Sequence, residues 1–423
     1  MASESHSDLP ELSVSLLTGG ADRPYVFGLG TSLMTKVDRL DVIGSDDLVF
    51  AEFQSNPIVR FLNLRGSHRS DVSIFKKAWR LFAYYVRLIC YSAKAKPRIF
   101  HILWNNKFET FDRTLLTLYY RILGKKIVLT LHNVNAGKRD LNDTWMNRLT
   151  LRIQYRLAQQ IFVHTEKMKS EVIEEFGVDP SRVAVIPFGI NNAVPSTELT
   201  NLDAKRRLGF SGGQKVILFF GNITPYKGLE YLIDGFRILY EADKNYRLVI
   251  AGRPDRFPEY WSEIRESISM DLNEGAILLK DSFIPDADVE VYFKGADVLV
   301  LPYRHVYQSG VLFLGQSFGL PVIATDVGSL KDDILEGATG FIVRPDDSKD
   351  LARALEEYFR CDLYKQLESR RGEIRQFALE HHSWDIAGRI TTKVYANMLQ
   401  IPIPENGRVQ ETAIISANAK NTI

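Results

Sequence analysis

Cysteine is almost missing from this chain of 423 residues: only Cys90 and Cys361 occur, far apart and in no metal or redox spacing. That excludes a disulfide framework and a cysteine-based metal centre, and it fits a reducing compartment. Long apolar runs are missing too. The longest uncharged one is roughly half of the ~18 residues that span a bilayer, so no membrane-crossing helix is expected. The opening MASESHSDLP has no basic start followed by an apolar stretch, and no signal peptide is expected, which makes the cytoplasm the expected compartment. Nucleotide fingerprints are sparse: Gly28-Leu29-Gly30 is too short for a dinucleotide turn, and no P-loop is present. Net charge is only +1, so neither sign dominates overall.

That balance hides an uneven distribution. From Arg60 to Gln160 there are twenty Lys or Arg against five acids, a surplus of fifteen, and the rest of the chain must carry a net −14. Segregation of this size implies an acidic partner for the N-terminal half: membrane lipid, a lipid phosphate or nucleic acid. Within it, Ser73 to Lys96 repeats at helical spacing. Lys76, Arg80, Tyr84, Arg87, Tyr91 and Lys94 share one stripe, expected to face outward beside Lys77, and Ile74, Ala78, Leu81, Phe82, Tyr85 and Leu88 share the stripe expected on the sheet. The plain alternative is an ordinary domain helix with a solvated basic side.

What is present is an alternation of short apolar runs and helical patterns. In the first half, strands are expected at Leu12–Thr18, Leu40–Ile43, Arg98–Trp104, Ile127–His132, Gln160–Thr165 and Val183–Pro187. In the second they are expected at Lys215–Phe220, Arg247–Ala251, Ala276–Lys280, Asp297–Pro302, Pro321–Thr325 and Gly340–Arg344. This pattern predicts an α/β protein with parallel sheets and right-handed crossovers, and the length predicts two domains of about 200 residues. The boundaries read as an N-terminal domain over 1–190, a polar, Pro- and Gly-bearing linker over 191–213 and a second domain over 214–380. A helix over 381–400 packs back on the first domain, and a disordered tail covers 405–423.

Two loops of the second half stand out. In KVILFFGNITPYKGLEYLIDGF, Gly221 ends a strand and Lys227-Gly228 start a helix; in DVLVLPYRHVYQSGVLFLGQSFGLPVIAT, Ser309-Gly310 open a helix after an apolar run. Both lie where the carboxyl edge of a strand meets a helix N-terminus, and N–H groups there attract phosphate. A lysine at such a start is mildly unfavourable against the helix dipole, so Lys227 reads as a phosphate ligand rather than one more solvated lysine. Ser309 has a simpler reading as an N-cap. His132 ends a strand and points into the same kind of crevice, against the bland reading of a packed histidine. Asp286-Ala287-Asp288 spells the acid-x-acid motif of metal-dependent transferases, but it follows Pro285 at a helix start, where acids complement the dipole.

Gly221-x5-Lys227-Gly228, Val249-Ile250-Ala251-Gly252 and the unit from Ser309 to Asp326 containing Gly319-Leu320-Pro321-Val322 resemble the donor half of family 4 glycosyltransferases with the GT-B fold. Thr18-Gly19-Gly20, Thr130-Leu131-His132-Asn133 and Phe162-Val163-His164-Thr165 resemble its acceptor half. The resemblance spans about residues 12 to 395. It implies two Rossmann-like, doubly wound parallel-sheet domains facing a central cleft. It also implies metal-independent transfer of a sugar from a nucleoside diphosphate sugar, with retention and no cofactor. The acceptor is expected to be a saccharide or lipid-linked hydroxyl, and the basic surplus makes an anionic membrane rather than nucleic acid the expected further partner. By the same resemblance His132 contacts the donor sugar, Lys227 meets the diphosphate, and Gly19 and Gly20 let the first loop approach donor and acceptor. Gly221, Asn222, Gly228, Gly252, Arg253, Gln308, Ser309, Gly310 and Val311 fall in the donor site. His164 takes a minor or structural place. Lys76, Lys77, Arg80 and Arg87 are the lipid-facing candidates.

The chain departs from the family twice. Asn222 stands where an arginine is usual, with Arg253 a candidate substitute. The family's two glutamates fall near Val306 and Leu314, and no carboxylate occurs from Val298 to Thr325; Gln308 or Ser309 is left to meet the ribose hydroxyls. A sugar-nucleotide epimerase of the same fold and a non-catalytic sugar-nucleotide or lipid-phosphate binding subunit stay open beside the transferase.

Overall fold

A computed structural model describes residues 11–19, 22–67, 73–139, 143–190 and 194–402. Gly20, the start of the expected linker and the expected tail lie outside them. The chain first lays down seven strands: β1 (Ser13–Leu17), β2 (Arg39–Gly44), β3 (Val59–Asn63), β4 (Ile99–Ile102), β5 (Lys126–Thr130), β6 (Gln160–Val163) and β7 (Val183–Val185). They form one parallel sheet in the order β3-β2-β1-β4-β5-β6-β7. Six more follow: β8 (Lys215–Phe220), β9 (Tyr246–Ala251), β10 (Ile277–Lys280), β11 (Val298–Leu301), β12 (Val322–Thr325) and β13 (Gly340–Val343). Their order is β10-β9-β8-β11-β12-β13, again parallel. Two Rossmann-like domains result, as the alternation of elements predicts.

The central strands are apolar on both faces, as parallel strands covered by helices must be. Val14, Leu40 and Ile99 fill one side of the first sheet, and Phe100, Ile127 and Ile161 fill the other. Strand β3 escapes the sequence reading because it is a half-buried edge strand without sustained apolar alternation. The helix Arg23–Leu33 escapes it as well, since Gly28 and Gly30 depress helical propensity. Gly28 is there for packing: a methyl group on it would stand 2.0 Å from the Trp384 ring.

Part of the expected linker is not a linker. Asn201–Arg207 is a helix, started by Thr200, whose hydroxyl accepts from the Asp203 amide and donates to the Asp203 carboxylate at 2.7 Å. Its Lys205 is buried, with Nζ 2.8 Å from the Asp297 carboxylate at the foot of β11. The polar composition that suggested a linker is a threonine N-cap and one buried ion pair, and the ion pair ties the segment to the second domain.

The chain crosses between the domains twice, and the crossings hold each other. The Ile190 amide donates to the His382 carbonyl at 2.8 Å, and Trp384 Nε1 donates to the Ile190 carbonyl at 2.7 Å. The last helix, Trp384–Leu399, then lies on the first domain, where the Tyr395 hydroxyl meets His101 Nδ1 at 2.6 Å.

Candidate active site

In a doubly wound sheet the crevice opens where strand order reverses, at the carboxyl ends of the strands. In the second sheet that point lies between β8 and β11, the two strands that lead into the Gly221–Gly228 and Pro302–Gly310 loops. In the first sheet it lies between β1 and β4, which lead to Thr18-Gly19 and to Trp104-Asn105, with His132 following β5 next door. Topology therefore gathers residues separated by up to about 290 positions into two facing edges.

On the second domain's edge, Gly221 leaves β8 with φ +101° and Gly228 closes a tight turn with φ +61°. The turn folds Lys227 back, and the side chain is buried. A Cβ placed on Gly221 would lie 2.9 Å from Lys227 Nζ and 3.5 Å from Val311 Cγ2. The lysine, the end of β8 and the helix Gly310–Ser317 thus share one small volume. Lys227 Nζ also stands 5.5 Å from the centre of the Tyr303 ring. Gly252 packs so tightly that a Cβ would fall 2.0 Å from the Gly221 carbonyl oxygen, and one on Gly228 would fall 2.2 Å from that of Pro302. Gly252 and Gly228 are thereby required by close backbone approach, whereas Gly221 meets only side-chain atoms. Asn222 and Arg253 sit on the exposed rim, joined by a 2.9 Å bond from the Ile223 amide to the Arg253 carbonyl.

Ser309 occupies the N-cap position of Gly310–Ser317 but makes no side-chain cap; its hydroxyl lies 3.5 Å from that of Tyr303. The plain N-cap reading therefore does not hold for its side chain, although its carbonyl accepts from the Leu312 amide at 3.1 Å. The Gln308 amide lies close enough to the Asp333 carboxyl to lower its pKa, while its own Oε1 and the Asp333 Oδ2 are buried without a protein partner. Asp333 sits in a buried turn after β12, with Oδ1 3.4 Å from His382 Nε2 and its backbone carbonyl accepting from Gln316 Nε2 at 2.7 Å. Burial pushes its carboxyl up to about 8, Asp332 adds to the rise, and the Gln308 amide opposes it. Leu314, at one of the glutamate positions, is buried among apolar side chains. A carboxyl group does lie beneath this helix, but it comes from beyond β12.

On the first domain's edge, His132 stacks on Trp104 (ring centroids 3.8 Å apart, planes within 8°). Its Nδ1 faces His164 Nε2 at 3.3 Å. Burial holds the His132 imidazole well below its usual pKa, with His164 and His101 adding to the effect, so the ring is neutral at physiological pH. Burial likewise lowers His164 to about 4. Gly19 has φ +57° and packs against this group: a Cβ there would lie 2.2 Å from the Trp104 carbonyl oxygen. Phe188 is one residue that joins the two edges. Phe188 contacts the His132 ring edge-on at 6.4 Å and stacks on Phe313 of the helix Gly310–Ser317 at 5.4 Å. Phe188, Trp104, Tyr303 and Asp333 were not singled out in the sequence.

The acid-x-acid motif is accounted for structurally. Asp286 pairs with Arg23 across the domains, and both acids lie in the first turn of the helix Asp286–Gly295. Among the described residues no three His, Cys, Asp or Glu side chains gather as a metal cluster would.

Lys76, Lys77, Arg80 and Arg87 lie apart from both edges, on the helix Ile74–Lys94. Its orientation corrects the expected stripes. Tyr84 and Tyr91 turn inward, their hydroxyls donating to Asn106 Oδ1 at 2.6 Å and Asp41 Oδ2 at 2.8 Å. Ala78 and Phe82 face out. Acceptors waiting on the sheet side make the tyrosines good interior residues, which rotates the helix from the expected setting.

Comparison with known proteins agrees with this geometry. Residues 28–194 match the model of Glycosyltransferase Family 4, and residues 214–360 match that of Glycosyl transferases group 1. A D-inositol 3-phosphate glycosyltransferase of Corynebacterium aurimucosum is 26% identical over 299 residues, covering 66% of this chain and 68% of that one. Its counterpart in Corynebacterium glutamicum is 28% identical over 230 residues, covering 51% and 54%. Among solved structures, sucrose-phosphate synthase from Thermosynechococcus elongatus aligns over 92% of this chain and all of its own, with TM-score 0.71 and 17% identity. Anabaena HepE in complex with UDP-glucose aligns over 92% and 99%, with TM-score 0.67 and 16% identity. The chain belongs to the family 4 glycosyltransferases and has their GT-B fold.

Proposed function

We propose that the protein moves a sugar from a nucleoside diphosphate sugar to a hydroxyl of a saccharide or lipid-linked acceptor, with retention of configuration. It would work without metal on the cytoplasmic side, in synthesis of cell-surface polysaccharide or glycolipid. The observation that carries the reading is the convergence of Lys227, Gly221 and Val311 at the switch point between β8 and β11. Convergence of a buried cation with the amides opening the helix Gly310–Ser317 suits a diphosphate. As the C1–oxygen bond of the donor breaks, charge gathers on the leaving diphosphate. Lys227, Arg253 and the N–H groups of Ser309 to Val311 stabilise it in place, without reorganisation. The acceptor oxygen bonds C1 on the face the phosphate leaves, and its proton passes to that phosphate. His132, neutral, takes the donor sugar's hydroxyls near the reacting carbon. Gln308, beside Asp333, meets the ribose in place of the absent glutamate.

The names of the relatives suggest where to begin: a uridine diphosphate sugar as donor, after HepE, and inositol 3-phosphate as acceptor, after the corynebacterial enzymes. A panel of nucleoside diphosphate sugars in thermal-shift format tests the donor site. A ligand at about 100 times its Kd adds roughly 2.7 kcal/mol of stability. Stabilisation by one nucleotide class, lost in Lys227→Ala, is the expected result; no shift with any donor would overturn the assignment. An epimerase would turn over donor without acceptor, and a binding subunit would stabilise without turnover.

A further inference from the structure

Monomeric proteins seldom expose large contiguous apolar surface without a reason, and here such surface is concentrated. Among the described residues, eleven of the nineteen exposed large apolar side chains lie between Phe75 and Leu149. Phe75, Trp79, Phe82 and Val86 follow one another at spacings of four, three and four, so they form a single stripe along the helix Ile74–Lys94. The first three are 87%, 69% and 59% exposed. The opposite side of that helix, with Tyr84, Tyr85 and Leu88, is already used against the sheet. Neighbouring helices continue the surface: Ile122 closes Thr117–Ile122 and is 75% exposed, and Trp145 opens Trp145–Leu157 and is 71% exposed. All three helices put their inner sides into the same core, through Tyr84, Tyr120 and Leu151. Their outer sides therefore make one face of the first domain. They also touch one another, through Tyr119 to the Ile89 carbonyl at 3.2 Å.

The charge on that face selects the occupant. Lys76, Lys77 and Arg87 flank the aromatic stripe and are exposed, inside the segment with the surplus of fifteen positive charges. A protein interface depletes lysine around its apolar centre. Aromatic side chains at headgroup depth with cations beside them are the pattern of a helix lying in the surface of an anionic bilayer. No helix among the described residues is long and apolar enough to cross a membrane, so contact would be peripheral.

We propose that the outer face of Ile74–Lys94, Thr117–Ile122 and Trp145–Leu157 docks on a bilayer containing anionic lipid. Phe75, Trp79 and Phe82 enter the headgroup layer while Lys76, Lys77 and Arg87 meet lipid phosphates. Trp145 and Phe108 stand at the starts of helical segments that leave β5 and β4, on the edge that carries His132, so the docked face continues to the mouth of the cleft. An acceptor anchored in the bilayer by an apolar tail is thus delivered to the site; this delivery rests on the proposed transfer, whereas the docking does not.

Cosedimentation with vesicles of phosphatidylcholine, with and without phosphatidylglycerol, tests the docking without any turnover. Wild type is expected on the phosphatidylglycerol vesicles and to fall off as salt rises. Replacing Lys76, Lys77, Arg80 and Arg87 by glutamine should weaken that partition on the order of 100-fold. The triple change Phe75→Ala, Trp79→Ala, Phe82→Ala should weaken it at least about tenfold at every salt concentration, with the circular dichroism spectrum unchanged. Equal binding to both lipids, or insensitivity to both sets of changes, would overturn the proposal. So would self-association through this face, abolished by the triple change, in a protein that ignores lipid. A protein that docks yet transfers no sugar would refute only the catalytic reading.

Discussion

Replacing Gly221 by alanine separates a catalytic role for the β8 loop from a structural one. At φ +101° an L-residue pays roughly 1–2 kcal/mol for the left-handed conformation. For a domain of this size that lowers Tm by about 2–8 °C. The new methyl lies 3.5 Å from Val311 Cγ2, an ordinary contact, but 2.9 Å from Lys227 Nζ. The ammonium ends a flexible side chain and can retreat, so the fold survives while the cation shifts by up to about 1 Å. Misplacement on that scale lowers rate by about 10²-fold where geometry is catalytic, so kcat should fall about 10- to 100-fold. Gly252→Ala is the contrast, because its methyl would lie 2.0 Å from the Gly221 backbone oxygen, which cannot retreat cheaply; that variant should not give stable protein. The assay follows nucleoside diphosphate release against donor concentration, with Tm measured on the same samples. A folded Gly221→Ala enzyme with wild-type kcat would refute the placement of Lys227 in the reaction.

Three further outcomes are expected. The Asp333 carboxyl, at about 8 when folded against 3.8 in its ordinary state, keeps a proton that the unfolded chain releases; its contribution is complete below pH 3.8 and is lost as pH rises through 8. Asp333→Asn should therefore raise Tm at pH 8 and flatten its fall between pH 4 and 8, and an unchanged pH–Tm curve would contradict the buried, protonated carboxyl. The His132 ring stays neutral through the physiological range, so kcat should show no limb near pH 6.5, and His132→Ala should lower it by about one to two orders of magnitude without adding one. Treatment with EDTA should leave transfer unchanged, and activity lost with EDTA and restored by magnesium or manganese would show that the diphosphate is held differently.

Much of this architecture could be read before the structure. Twelve of the thirteen strands fall where apolar runs and turn residues put them, because central parallel strands are buried on both faces and announce themselves. The Gly221–Gly228 and Ser309–Val311 loops were legible for a local reason: each joins a strand end to a helix start within a few residues. Phe188, Trp104 and Asp333 were not, because each acts through partners far away in sequence and none carries a local motif. Asp333 in particular follows β12, outside the stretch where a carboxylate was sought. The helix Ile74–Lys94 misled for a different reason. It has two apolar stripes, Phe75–Trp79–Phe82–Val86 and Tyr84–Tyr85–Leu88, and helical periodicity alone cannot decide which meets the sheet; the acceptors on Asp41 and Asn106 do.

The central claim is that this cleft transfers a sugar and that Lys227 stabilises the leaving diphosphate. It is tested most directly by nucleoside diphosphate release from a matched donor, with and without acceptor, in wild type and in Lys227→Ala. The account predicts release that depends on acceptor in the wild type. It predicts a variant that folds with near wild-type Tm and is slower by about 10²–10³-fold, the loss expected for one preorganised stabilising contact. Release independent of acceptor, or a folded Lys227→Ala variant with near wild-type turnover, would contradict it.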